Sequence, residues 1–205
     1  MPTPGDSTTE QARPVLGHVN LMVDTLIAHA QPNELRAFLR DTLGSTDPSV
    51  TGALLVAARL YLDKTNATAL PATGTLFVQS ADGGVWEATE DLHATLKRSR
   101  VLYGAGMGLA ALAVLTEVVK SAVGLRWEEG SPLEEDLAKV DEDLTQAIQS
   151  AKEEIDGGRA PAVEQVKTVH DALRKALLED WKEVEGWGGD FPFGRALPSV
   201  ELWKL

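Results

Sequence analysis

Apolar residues recur at three- and four-residue spacing along most of this chain, the period of helices that bury one stripe and wet the other. The spacing predicts a first helix from about Val15 to Ala30, its face drawn from Leu16, Val19, Val23, Leu26 and Ala30. Pro32 restarts the chain, and Leu35, Phe38, Leu39 and Leu43 outline a second helix stopped by Gly44. Asp47-Pro48 is an N-cap followed by proline at the first helical position, and Val50, Leu54, Ala57 or Ala58, and Tyr61 carry a third stripe ending near Asn66. All three stripes are expected to face the core.

From Ala67 to Ala88 the helical period is lost. Pro71 and Gly74 interrupt it, and Asp82-Gly83 lies between Leu76-Phe77-Val78 and Val85-Trp86, which predicts a small β-hairpin with a tight turn. Thr89, followed by Glu90 and Asp91, opens the next helix, because a hydroxyl can accept backbone N–H groups and carboxylates favour the positive end of the helix dipole. Glycines at 104, 106 and 108 predict a break before a central apolar helix that reaches about Val123.

Ser131-Pro132-Leu133-Glu134 is a capping box with proline at the first position. Behind it Leu133, Leu137, Val140, Leu144, Ile148, Ala151 and Ile155 repeat until Gly157-Gly158. After a short link a second seam runs through Val166, His170, Leu173, Leu177, Trp181 and Val184. So short a link makes the two helices fold back as an antiparallel hairpin. Residues 187–205, with Trp187, Phe191, Phe193 and Trp203 among glycines and prolines, read as an extended aromatic arm packed over the bundle. The expected fold is an all-α, irregular bundle of about six or seven helices with a small β-hairpin insertion and a long C-terminal antiparallel helical hairpin. A disordered tail over 1–13 precedes a single domain over 14–205, in which 131–186 form an acidic hairpin and 187–205 the arm.

Composition narrows the function more than it names it. The net charge is −12, and 131–186 hold 15 acidic against 7 basic residues, which is −8 of that total. Such a chain lacks the basic surface that neutralises phosphates, so neither nucleic acid nor an anionic membrane is an expected partner. A basic protein, or a second copy of the chain, is. There is no cysteine, which excludes disulfides, thiolate zinc sites and cysteine nucleophiles. The opening residues have neither a basic region nor an apolar core of signal-peptide type, so a soluble, cytoplasmic protein is expected. The uncharged run from Val101 to Thr116 covers 16 residues, short of the roughly 20 that cross a bilayer.

Candidate chemistry is sparse. The glycines at 104, 106 and 108 invite comparison with G-x-G-x-x-G, yet the third glycine would fall on Leu109 and no strand precedes them; small residues letting a helix approach closely explain them as well. Glu90 and His93 have the spacing of a carboxylate-bridged metal site without the second pair it needs, so no metal and no cofactor is expected. His170 interrupts an apolar seam, and Glu117 follows a long uncharged run. Glu117 is either paired or protonated inside the core, or marks where the helix leaves it. With Tyr103 and Met107 these two residues outline a candidate inter-helical cavity for a small molecule or a reaction. Lys97, Arg98 and Arg100 form a dense basic cluster able to collect an anion, or to pair with the chain's own acidic helices. Asp141-Glu142-Asp143, set between Val140 and Leu144, reads as an exposed helix face. With no catalytic motif, the leading expectation is a non-catalytic acidic interaction or adaptor module docking through the aromatic arm; a ligand-binding protein or enzyme built on the candidate cavity is the alternative.

Overall fold

The computed structural model describes residues 18–72, 75–80 and 84–204, with side chains from residue 22 onward. The expected tail over 1–13, the first turn of the first helix and the Asp82-Gly83 turn lie outside the described residues. Eight helices and one two-stranded sheet are seen among those described: α1 His18–His29, α2 Pro32–Ser45, α3 Pro48–Lys64, β1 Phe77–Gln79, β2 Trp86–Ala88, α4 Glu90–Gly104, α5 Gly108–Ala122, α6 Pro132–Asp156, α7 Val163–Trp187 and α8 Ala196–Glu201. None of these helices is long and apolar enough to cross a membrane. The strands pair antiparallel, with Phe77 opposite Ala88 and Gln79 opposite Trp86.

The chain divides into two compact units, residues 1–52 and 53–205, the boundary falling within α3. In the first, α2 buries no residue, and every described side chain of α1 is exposed. The stripes expected to be core are present as stripes, but Val23, Leu26, Phe38, Leu39, Val50, Leu54 and Tyr61 all stand in solvent, as do Met22 and Ile27. This corrects the expectation that they pack inward.

The second unit is built around α5. Its apolar residues run almost all round the helix, so Leu109, Leu112, Val114, Leu115, Val118 and Val119 are all buried while only Lys120 is exposed. A helix apolar on every side needs neighbours on every side, and α5 packs against α4, α6 and α7. The long helix α6 packs chiefly on α5 and α4, α7 packs chiefly on α5, and α8 touches both. The expected break between α4 and α5 is there, with Gly106 in the left-handed region at φ +74°. Gly108 sits where α5 meets α6, and a Cβ at that position would run into the backbone of Ser150 and Ala151. The close-approach explanation of the glycine cluster therefore holds at Gly108; around Gly104 there is open space.

Local signals place the helix starts. The Thr89 hydroxyl accepts from Leu92 N–H, and Ser131 accepts from Glu134 N–H. The Glu134 carboxylate closes the box one residue earlier than expected, accepting from Gly130 N–H. The C-terminal segment is not simply extended. Residues 196–201 wind into α8, which tolerates Pro198 because first-turn amides have no partner inside the helix.

Candidate functional site

Helical geometry separates the basic cluster. On α4, Lys97 is exposed, Arg98 is partly buried and Arg100 reaches across to α6. The Arg100 Nε donates to both oxygens of Asp143, at 2.9 and 3.1 Å. The Tyr103 hydroxyl, one turn further on, donates to Asp143 Oδ1 at 3.0 Å, and Ser150 Oγ donates back to the Tyr103 carbonyl at 2.8 Å. Burial, with the neighbouring Asp143 charge, pushes the Tyr103 phenol up to about 12, so it keeps its proton near neutrality. This cluster joins two helices. Arg98 differs: its Nε and Nη2 are buried without a hydrogen-bond partner, beside a cleft of about 310 Å³ that Thr75, Asp91 and Thr95 also line.

The other candidate residues are each engaged elsewhere. Met107 is the N-cap of α5 and packs on the core. Glu117 is ion-paired with Lys120, one helical turn away, at 2.7 Å. His170 Nε2 donates to the Val200 carbonyl at 3.1 Å, its Nδ1 lies 3.0 Å from the exposed Asp171 carboxylate, and its ring meets the Trp203 indole edge-on at 5.5 Å. Tyr103, Glu117 and His170 thus serve three different contacts, at α4–α6, along α5 and at α7–α8.

The aromatic arm is not a free docking surface. Phe193 and Trp203 are buried, and Trp187 and Phe191 are partly so. Trp187 meets Trp127 edge-on at 5.2 Å, and Phe191 meets Phe193 at 5.7 Å. The Asp141-Glu142-Asp143 run is likewise not an exposed face, since both aspartates are buried. Asp141 accepts the backbone amides of Arg195 and Ala196, at 3.3 and 2.8 Å, and so fixes the start of α8. Burial raises its pKa, and those two amides pull it back.

Two carboxylates escaped the sequence reading. Glu154 of α6 accepts the Leu109 amide at 3.0 Å, capping the first turn of α5; burial raises its pKa against that bond and the nearby Arg159 charge. Asp180 of α7 is 1% exposed, has no hydrogen-bond partner for Oδ2, and is pushed up to about 7 by burial, with Glu183 adding to the shift. The seam of α7 runs Leu173, Leu177, Asp180, Val184, while Trp181 is 39% exposed. Position 180 follows 177 by three and precedes 184 by four, so the period admits it as readily as 181.

A further cleft, of about 470 Å³, lies where the α6–α7 link meets the end of the chain. Ile155, Val163, Val166, Leu202 and Trp203 form its walls, and Lys152, Asp156 and Lys204 its polar rim. No family model matches the chain, and neither the curated proteins nor the solved structures contain a match.

Proposed function

We propose that this protein is a non-catalytic interaction module whose contact surface is the pair of N-terminal helices. The observation that carries the reading is the exposure of the apolar stripes of α1 and α2, where Met22 alone is 61% exposed. Exposed apolar surface costs free energy in water, and where it is contiguous it marks protein contacts. Within residues 18–45, Asp24, Glu34 and Asp41 stand against Arg36 and Arg40, a net charge of −1 in a chain of −12. The fitting partner presents an apolar helical face surrounded by basic residues, because a net charge of −12 favours encounter with a basic protein. A second copy would bring the same negative charge and is the weaker fit. The catalytic alternative has less behind it, because Tyr103, Glu117 and His170 each have partners of their own.

A photo-crosslinking amino acid at Ile27 in the full chain tests this. Crosslinks to a partner are expected there and not at exposed Lys182, and they should disappear when Leu26→Glu and Phe38→Glu are added. Both sites are exposed, so helicity and unfolding midpoint should stay unchanged. Equal capture at positions 27 and 182, or capture indifferent to the two glutamates, would sink the reading.

A further inference from the structure

We propose that the cleft beside Trp203 binds a free small carboxylate with an apolar body, of the medium-chain fatty-acid class. Its volume of about 470 Å³ falls in the range of small-molecule sites, which run from about 300 to 1,000 Å³. The walls come from three places: Ile155 on α6, Val163 and Val166 on α7, and Leu202 with Trp203 after α8. Two of these wall residues are left wet without visible reason, Val163 at 64% and Leu202 at 77% exposed. An apolar chain lying between them would cover both.

The Trp203 wall is held in place before any ligand arrives. His170 packs edge-on against the indole at 5.5 Å and is itself fixed by the Val200 carbonyl. Lys152 Nζ stands 5.9 Å from the Trp203 ring centroid. A wall fixed in advance saves the ordering entropy that binding otherwise costs.

The rim identifies the head group. Among the described residues Lys152 and Lys204 have no carboxylate partner, in a chain whose acidic residues outnumber its basic ones by 31 to 19. Asp156 also lines the cleft, which leaves a net charge of +1 among its lining residues. Two lysines among the lining of an apolar cleft match one anionic head on an apolar tail. A neutral tail leaves both cations unmatched, and a cationic head is repelled.

Isothermal titration calorimetry of the full chain with decanoate, decanol and decyltrimethylammonium separates these cases. Decanoate is expected to bind saturably at one site, with decanol at least about tenfold weaker and the ammonium compound not binding. Lys152→Gln should weaken decanoate about tenfold, the order of one charge-assisted contact. Val163→Asp should abolish binding without disturbing the fold, since Val163 is exposed and an acid suits the first turn of α7. These variants also separate the cleft from casual uptake on the apolar stripes of α1 and α2. The proposal is overturned by three amphiphiles binding alike, by decanoate binding that neither substitution alters, or by no binding to the intact chain.

Discussion

Asp180 is where the fold works against itself, and removing its carboxylate measures by how much. An aspartate in water titrates near 3.9, whereas burial moves Asp180 up to about 7. The folded state therefore holds this proton more tightly than the unfolded one. Above about pH 4 the unfolded chain releases it while the folded chain retains it, so stability falls as pH rises from about 4 to about 7 and then levels off. At about 1.4 kcal/mol per unit, the penalty is about 1.5 kcal/mol at pH 5 and about 4 kcal/mol at pH 8. Asp180→Asn cannot ionise, so it removes this dependence. The amide is still buried without a partner, which costs about 1–3 kcal/mol at any pH. Taking the difference between two pH values cancels that constant. Urea unfolding followed by circular dichroism should show the variant gaining about 2.5 kcal/mol on the parent between pH 5 and pH 8, or several degrees in melting temperature. A stability difference between the two proteins that is the same at both pH values would refute the assignment of Asp180 as a buried, unpaired acid.

Further substitutions test the packing. Gly108→Ala should cost about 1–3 kcal/mol because the backbone of α6 cannot move aside, while Gly104→Ala, facing open space, should be neutral or slightly stabilising in the same melt. Asp143→Asn removes the negative charge that Arg100 and Tyr103 share while keeping an acceptor oxygen; the Tyr103 phenol should titrate below about 12 by ultraviolet absorbance, while burial still keeps it above 10. Asp141→Ala leaves the Arg195 and Ala196 amides uncapped, and limited proteolysis should cut near residue 195 several-fold faster than in the parent.

Helix starts and stops were legible because their causes are local. Ser131-Pro132 opens α6, Thr89 opens α4 and the glycines before Leu109 separate α4 from α5, each through atoms a few residues apart. What the acidic residues do was not legible. Asp143 finds Arg100 from 43 residues away and Asp141 finds Ala196 from 55, so a run that reads as a wet face becomes two buried anchors once distant segments arrive. Apolar stripes carry the opposite ambiguity. Periodicity says that Val23 and Leu26 share a face, and nothing local says whether the chain itself supplies what covers it. His170 was legible as an anomaly on its seam, but its use, steadying Trp203 and the segment after α8, depends on thirty residues of later chain.

The clasp formed by α8 also bears on the order in which the molecule is made. Asp141 and His170 are synthesised well before the amides and carbonyl that satisfy them, so α6 can meet α5 while the side that α8 covers is still open. Closure waits for residues 195–203. A ribosome paused before that point would hold a nascent chain with a formed central helix and an unsealed core, the form that chaperones capture and from which aggregation starts.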